Sequence, residues 1–148
     1  MPELSNRELV ERYTSAWPDD FDTLSELRHA EYVEDWPQSG ERIRGHAGYV
    51  RVHEAYPGGL PHAETVRVIG TEDRWVASPS FTLVRIQGEG DAFTVEGKLT
   101  YPDGSSTLLV AILQFRDGKV IRGTHYFADP FDPPEWRAGL VERIERYS

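Results

Sequence analysis

The stretch AFTVEGKLTYPDGSSTLLVAILQFRDGKVIRGTHYFA, residues 92–128, decides the fold. Its β-branched and aromatic residues form three runs of roughly alternating polarity, and turn-forming residues fill each gap between the runs. Because connections this short join neighbouring antiparallel strands, the stretch predicts an antiparallel meander. The predicted strands are Ala92–Tyr101, Thr107–Arg116 and Lys119–Ala128, with turns at Pro102-Asp103-Gly104 and Asp117-Gly118.

The segment before the meander changes from helical to extended character. Ser5 and Glu8 have the spacing of a capping box, so a first helix is predicted to start there and to end at Pro18. A second helix is predicted from a cap at Asp19 or Asp20 to about His29. The remaining elements predicted before residue 92 are a short strand at Tyr32–Trp36, a loop at Pro37–Gly45, a third helix from Gly45 to Tyr56, and strands at Ala63–Gly70 and Arg74–Gln87.

A last helix is predicted at Pro133–Tyr147, because prolines suit a helix start and an apolar stripe follows at helical spacing. That stripe consists of Trp136, Leu140, Val141 and Ile144. Helices followed by a meander indicate an α+β fold, in which N-terminal helices pack on one face of a curved, mostly antiparallel sheet. The whole chain, residues 1–148, is predicted to be one domain, with a conical cavity between helices and sheet where a ligand would bind.

Composition excludes several classes of function. The net charge is −9, with 25 acidic residues against 16 Lys and Arg and no basic block, which argues against binding to nucleic acid or to an anionic membrane. The absence of cysteine excludes disulfides, thiolate nucleophiles and cysteine-based zinc sites. The N-terminus lacks the apolar run of a signal peptide, and no run is long enough to span a membrane, so we expect a cytoplasmic protein.

Three short segments, in this order, carry a resemblance to a known family. They are RYTSAW at the end of the first helix, YVEDWPQSGERIRG across the first strand and its loop, and FRDGKVIRGTHYF at the last hairpin. With the order of helices and strands, they resemble SnoaL-like and ketosteroid isomerase-like proteins of the nuclear transport factor 2-like superfamily. The resemblance implies a cone-shaped α+β barrel, an internal pocket and a homodimer formed through the sheet. Because this superfamily hosts many reactions, the fold alone does not transfer a function.

The ketosteroid isomerase pattern, laid on this chain, implies roles for four residues. Its catalytic base falls on Asp35, its phenolic hydrogen-bond donor on Tyr13, and a supporting group on the third helix falls on His53. Its second acid falls on Ala111, so that donor is missing and steroid isomerisation itself is not expected. From the residues alone, Asp35 could instead cap the turn that follows by accepting hydrogen bonds from Gln38 or Ser39.

The SnoaL-like pattern places its acid/base group on His125 in the last strand. Alternation along that strand independently puts Ile121, Gly123, His125 and Phe127 on one face, predicted to face the helices because it is more apolar. Paired across the cavity, Asp35 and His125 would form a proton-transfer dyad. The alternative is a core histidine bonded to a backbone carbonyl or to Tyr13.

The remaining pocket residues are inferred from position. Trp17 is predicted to anchor the first helix against the pocket, Trp36 to fold over the cavity mouth at the Pro37 kink, and Gly123 to leave room for a ligand. Phe127 would line the wall beside His125. The five histidines are too scattered for a metal site, and no nucleotide-binding or nucleophile-elbow motif occurs, so no metal and no cofactor are expected.

The sequence thus predicts a cofactor-independent acid/base enzyme, an isomerase, a cyclase or a related type, that acts on a small, mostly apolar carbonyl compound. Epoxide hydrolysis ranks lower, because Arg85 and Arg122 have no clear inward phase for the relay that it needs. Two alternatives stay open. One is a non-catalytic pocket for a small hydrophobic molecule, and the other is a dimerising scaffold module that works through the outer face of the sheet.

Overall fold

The computed structural model describes residues 5–70, 74–77, 83–86 and 92–144. The first helix, α1, spans Asn6–Ser15 and begins with the predicted capping box. The Ser5 hydroxyl accepts a hydrogen bond from the Glu8 amide at 3.2 Å, and the Glu8 carboxylate accepts one from the Ser5 amide at 2.7 Å. Helix α2 spans Phe21–Leu27 with Asp20 as its cap, and helix α3 spans Gly45–Glu54.

The first strand is longer than predicted, because it begins where α2 ends. Strand β1 spans Arg28–Trp36, whereas the sequence predicted helix up to His29 and strand only from Tyr32. A second correction concerns the predicted loop at 37–45, which contains strand β2, Glu41–Arg44. A four-residue turn closes β1 and β2 into a hairpin in which Asp35 pairs with Arg42.

Besides β1 and β2, the main sheet contains β3, His62–Gly70; β6, Ala92–Thr100; β7, Ser106–Arg116; and β8, Lys119–Ala128. Within the described residues its six strands lie in the order β2-β1-β8-β7-β6-β3. Strand β1 runs parallel to β8, and the other neighbours are antiparallel. The meander is confirmed closely, and the sheet is curved with edges at β2 and β3.

The segment predicted as one strand, Arg74–Gln87, contains two short strands. Strand β4, Arg74–Ala77, and strand β5, Leu83–Ile86, pair antiparallel in a separate two-stranded sheet. The end of the prediction, Gln87, lies outside the described residues.

The core lies between the helices and the inner face of the main sheet. Val10, Leu24, Val95, Leu113 and Val120 are fully buried there. Val120 rather than its neighbour Ile121 is buried because the pairing of β7 with β8 shifts register between Gln114 and Phe115, which reverses the predicted alternation at the start of β8. From Gly123 onward the predicted phase holds, so this half of β8 presents its inner face to the helices.

The C-terminal α-helix predicted at Pro133–Tyr147 is wrong over the described residues. Residues 133–144 contain one 3-10 turn, Glu135–Arg137, and Tyr147 lies outside the described range. The predicted stripe is exposed, with Trp136 at 74 % and Ile144 at 84 %. A short helix needs packing to be stable, and Gly139 in its middle costs about 1 kcal/mol relative to alanine. Because none of the described residues covers the stripe, the predicted helix lacks that packing. No helix in the described part of the chain is long and apolar enough to cross a membrane.

Candidate functional site

A cavity of about 450 Å³ lies between the inner face of the sheet, helix α3 and the end of α1. Aromatic and polar side chains both contribute to its wall. The acidic and imidazole side chains in the lining are Glu34, Glu41, His53, His125 and Asp129. The indole, phenol and phenyl side chains in the lining are Trp17, Trp36, Tyr49, Tyr56, Tyr101 and Phe127.

Glu34 is the buried acid of this cavity. Alternation along β1 puts Tyr32, Glu34 and Trp36 on the inner face, and only 1 % of Glu34 is exposed. The Tyr32 hydroxyl donates to Oε1 at 2.6 Å, and the Trp36 indole N–H donates to Oε2 at 2.7 Å. Two donors from its own strand therefore hold this carboxylate, so its position is set by the strand itself.

Arg28 lies behind Glu34 and is equally buried. Its Nη2 lies 3.9 Å from Glu34 Oε1, and its Nε donates to the Tyr13 hydroxyl at 2.8 Å. The guanidinium also lies 3.8 Å from the centre of the Tyr49 ring and 4.4 Å from that of Tyr32. A charged group that lacks water is stabilised here by an opposite charge and by aromatic faces.

Electrostatics keep Glu34 ionised and His125 neutral. Burial alone would raise the pKa of Glu34, but a charge on His125 would lower it, and the hydrogen bonds from Tyr32 and Trp36 and the charge of Arg28 do lower it, so the pKa lies below its ordinary value. Burial lowers the pKa of His125, and Arg28 adds to that effect against the opposing pull of Glu34. His125 Nδ1 lies 3.6 Å from Glu34 Oε2, which is close enough for an electrostatic contact and too long for a hydrogen bond.

Gly123 allows His125 and Tyr32 to reach this position. A Cβ atom at residue 123 would lie 3.1 Å from His125 Nε2 and 3.2 Å from the Tyr32 hydroxyl oxygen. The imidazole also meets the Trp17 ring edge to face, with ring centres 5.6 Å apart. The predicted room beside Gly123 is therefore filled by protein atoms, and Gly123 is absent from the cavity lining.

His53 on α3 is a second imidazole in the cavity wall, and it differs from His125 in its hydrogen bonding. Its Nδ1 donates to the Tyr49 carbonyl oxygen one helical turn earlier, at 2.9 Å, and its ring stacks on that of Tyr49 with centres 3.7 Å apart. That bond fixes the tautomer, so the Nε2 atom carries the lone pair. Burial lowers the pKa of His53, and no group in the described residues hydrogen-bonds to its Nε2.

Two phenols stand in the same wall as His53. The hydroxyl oxygens of Tyr56 and Tyr101 lie 3.0 Å apart and share one hydrogen bond. The Tyr101 hydroxyl also hydrogen-bonds to Thr107, whose own hydroxyl donates to Asp129 at 2.8 Å, so the two phenols belong to a chain of hydroxyls that ends at this carboxylate. Burial raises the pKa of Tyr101, and its bond to Tyr56 acts in the same direction.

Asp35 does not face the cavity, and the predicted Asp35–His125 dyad is wrong in its geometry. The Asp35 carboxylate lies on the opposite face of β1, where Arg42 Nε donates to it at 2.6 Å and Arg122 Nη2 lies 3.1 Å away. The hydrogen bond from Arg42 lowers the pKa of Asp35, which is unlike the raised value expected for a buried base. The alternative role as a turn cap also fails, because the Ser39 and Gly40 amides donate to the Trp36 carbonyl oxygen.

Some of the other predicted site residues line the cavity, and the rest lie buried behind it. Trp17, Trp36, His53 and Phe127 line the cavity, whereas Tyr13 and Ala111 are fully buried behind it. Tyr13 donates to the Tyr32 hydroxyl at 3.3 Å and so belongs to the network that holds Glu34. In the part of the chain that the structure describes, no three His, Asp or Glu side chains are grouped to hold a metal ion.

Sequence reasoning missed Glu34, Arg28 and the Tyr56–Tyr101 pair. The signal for Glu34 was present, since Tyr32, Glu34 and Trp36 alternate and supply a carboxylate with two donors on one face. Arg28 offered no such signal, because a buried arginine is recognised only once its tyrosine partners are brought together from α1, β1 and α3.

The mouth of the cavity is formed by the turn between β1 and β2. The Gln38 side chain donates from Nε2 to the Phe127 carbonyl oxygen at 2.7 Å and accepts from the Phe127 amide. Trp36 meets the Phe127 ring edge to face, with centres 5.6 Å apart. Trp36 lines the wall near the mouth, but strand alternation places it there rather than the predicted kink at Pro37, because it pairs in regular register with Glu41.

Comparison with known proteins gave matches among solved structures. No family model and no curated protein matches the chain. A nuclear transport factor 2-like protein of unknown function from Burkholderia xenovorans LB400 is 32 % identical, with a TM-score of 0.69 and 95 % of each chain covered. A candidate ketosteroid isomerase from Kribbella flavida DSM 17836 is 26 % identical, with a TM-score of 0.73, covering 95 % of this chain and 90 % of that one. An epoxide hydrolase from M. tuberculosis, described as LEH-like, is 17 % identical with a TM-score of 0.57, covers 82 % of this chain and 81 % of that one, and shares the fold.

Proposed function

We propose, since this chain belongs to the nuclear transport factor 2-like superfamily, that it is a cofactor-independent enzyme that moves a proton on a small, mostly apolar carbonyl compound. The structure from Kribbella flavida, a candidate ketosteroid isomerase at 26 % identity, supports this class of reaction. The aromatic side chains of the cavity suit an apolar body, and the polar groups beside them suit a reacting centre.

The observation that carries the proposal is the imidazole of His53. A general base needs a lone pair within reach of the substrate, a fixed orientation and a neutral resting state. His53 lines the cavity, its Nδ1–H is bound to the Tyr49 carbonyl, and burial favours its neutral form by lowering its pKa. We therefore assign to His53 Nε2 the removal of a proton from the carbon next to the substrate carbonyl.

The negative charge that develops on the carbonyl oxygen then needs a donor. We assign this role to the Tyr56–Tyr101 hydroxyl pair, one phenol of which would turn its O–H from its present partner to the substrate oxygen, and both phenols line the same cavity as His53. The C–H electron pair moves into the carbon skeleton and onto oxygen, and the proton rests on His53. Return of that proton to a different carbon completes an isomerisation with no net change in atoms or charge.

Glu34 has a supporting role in this proposal, and the neutral imidazole of His125 lies against it. The ionised Glu34 carboxylate raises the pKa of His53 slightly against the lowering effect of burial, and thereby favours the imidazolium that forms during the reaction. Tyr13 and Arg28 act as positioning residues that hold Glu34 from behind. Asp35, bound to Arg42 and Arg122 on the other face, has no part in it.

The test is the exchange of α-protons for deuterium in a panel of small cyclic ketones, followed by NMR, which detects the proton-transfer step whichever carbonyl compound is the natural substrate. His53→Gln is expected to abolish catalysed exchange, because the amide has no basic lone pair. His62→Gln is the matched control, since His62 is exposed on β3 and does not line the cavity. Exchange that persists at the wild-type rate in His53→Gln would refute this assignment of the base.

A second function, a non-catalytic pocket for a hydrophobic molecule, is favoured by one observation. The Glu34 carboxylate is held by two donors and kept ionised, as in a fixed recognition element. This alternative predicts ligand binding that survives His53→Gln and His125→Ala, with no deuterium exchange in the wild-type protein. Binding measured by calorimetry on the variants therefore separates the two functions.

We also propose that the chain forms a homodimer through the outer face of the sheet. Val110, Ile112 and Tyr126 lie on that face and are each more than one-third exposed. Val110 is paired with Tyr126 across β7 and β8, so the apolar groups are contiguous. Sedimentation at micromolar concentration is expected to give a dimer, and Val110→Lys is expected to give a monomer. A monomeric wild-type protein would remove the claim and would leave a scaffold role through this face without support.

A further inference from the structure

We infer that the ligand of the cavity carries a positively charged nitrogen, as a small alkylammonium or quaternary ammonium group attached to its apolar body. The inference rests on the proposed function only in placing the ligand in the same cavity. It concerns the chemical class of that ligand, which the carbonyl chemistry alone does not fix.

The aromatic wall supplies the first argument. Trp36 and Phe127 meet edge to face with ring centres 5.6 Å apart, and Tyr56 and Tyr101 lie nearly parallel with centres 6.1 Å apart. Four further aromatic or imidazole rings, those of Trp17, Tyr49, His53 and His125, line the same space. The faces of Trp and Tyr attract cations, and a cation that is removed from water gains more from them than an exposed one does.

The charges around the cavity supply the second argument. Glu34, Glu41 and Asp129 line it, and the lining contributed by the described residues contains no Lys or Arg. Glu34 and the buried Arg28 behind it largely neutralise each other, so the net charge comes from the two exposed acids at the rim. His53 and His125 add no positive charge, because burial keeps both imidazoles neutral by lowering their pKa values.

The same features exclude the opposite class of ligand. A carboxylate or phosphate group would meet Glu41 and Asp129 at the mouth and Glu34 inside, without any cation among the described lining residues to balance its charge. A neutral molecule would fill the apolar space but would gain nothing from the rim. Charge and ring geometry therefore favour a cation over an isosteric neutral molecule and disfavour an anion.

Three probes of nearly equal shape test the inference on the full-length protein. The first is choline. The second is 3,3-dimethyl-1-butanol, called dimethylbutanol below, in which a quaternary carbon replaces the nitrogen. The third is the anion of tert-butylacetic acid, called tert-butylacetate below, which carries a negative charge. Binding is followed by the fluorescence of Trp17 and Trp36, which line the cavity, and is confirmed by calorimetry. We expect choline to bind about tenfold more tightly than dimethylbutanol, within the range of cation–π contacts, and tert-butylacetate to bind most weakly.

Variants at the rim of the cavity test whether charge, rather than shape, makes the protein prefer choline. Glu41→Gln with Asp129→Asn is expected to weaken choline binding several-fold at low salt and to leave dimethylbutanol binding unchanged, because both changes preserve side-chain size. Glu31→Gln with Glu135→Gln is the control, since it removes the same charge from exposed residues outside the cavity. Thermal unfolding of each variant checks that the fold is intact.

Two outcomes overturn the inference: dimethylbutanol binds as tightly as choline, or the two double variants weaken choline binding equally. Failure of the proposed function is distinguishable. If the protein prefers choline but exchanges no ketone protons, the proposed enzyme activity is refuted and the cation site is kept. If it exchanges ketone protons but does not prefer choline, the cation site is refuted and the proposed activity is kept.

Discussion

Replacing Glu34 by glutamine should strongly destabilise this protein. The change preserves volume but leaves the Arg28 guanidinium buried without its counter-charge, 3.9 Å from the atom that replaces Oε1. Breaking a buried ion pair by removing one partner typically costs about 3–5 kcal/mol. The aromatic faces of Tyr32 and Tyr49 retain part of the stabilisation of Arg28, so we expect a loss of about 3 kcal/mol in the free energy of unfolding.

A double-mutant cycle in urea separates this loss from general disruption. Arg28→Met removes the stranded charge, so Glu34→Gln combined with Arg28→Met should be more stable than Glu34→Gln alone by about 1–3 kcal/mol. Glu31→Gln, an exposed glutamate on the same strand, is the control and should change stability by less than about 0.5 kcal/mol. The reasoning fails if Glu34→Gln matches this control, or if Arg28→Met brings no recovery.

The buried pair of Glu34 and Arg28 also makes the stability of the protein depend on pH. Since the pKa of Glu34 in the folded protein lies below its ordinary value of 4.5, the unfolded chain binds this proton more readily than the folded one. The contribution of Glu34 is therefore complete above about pH 4.5 and is lost as the pH falls through the lowered pKa of the folded state. Urea unfolding between neutral and acidic pH should show a smaller decline in Glu34→Gln than in the wild-type protein.

Two further substitutions test the positions of the supporting groups. Gly123→Ala places a methyl group 3.1 Å from His125 Nε2, so the imidazole and the Tyr32 hydroxyl must move. The free energy of unfolding should fall by about 1–3 kcal/mol. An unchanged melting temperature together with unchanged His125 chemical shifts would contradict the contact. Asp35→Asn removes a partly exposed ion pair with Arg42, so it should cost no more than about 1 kcal/mol and leave ketone deuterium exchange unaffected. A large loss of exchange in this variant would restore Asp35 to the active site.

The meander was predictable because its signals are local. Alternation and turn residues within 92–128 specify each strand and its partner without reference to distant parts of the chain, and the capping box at Ser5 is equally local. Strand β2 was missed because Glu41–Arg44 is short and mostly charged, and it becomes a strand only by pairing with β1.

The site was harder to predict because it depends on phase and on distant partners. Strand β1 has two faces of mixed character, one with Tyr32 and Glu34 and the other with Val33 and Asp35, so reasoning from the sequence alone selected the wrong acid. Because neighbouring side chains on a strand point to opposite faces, a shift of one residue decides whether Glu34 or Asp35 is buried. Within the site, His125 was placed correctly on the inner face, whereas its partnership with Glu34 instead of Asp35 depends on how β8 pairs with β1.

The double hydrogen bond between Gln38 and the Phe127 backbone has a kinetic consequence. A side-chain amide that both donates to and accepts from one residue acts like an added peptide unit of the sheet, so it fastens the rim of the cavity to β8. An aperture held in this way passes or rejects molecules by their width, without a loop that must first swing aside. Ligand uptake should then be a single bimolecular step whose rate rises in proportion to ligand concentration, and Gln38→Ala should widen the range of molecules admitted before it alters the chemistry inside.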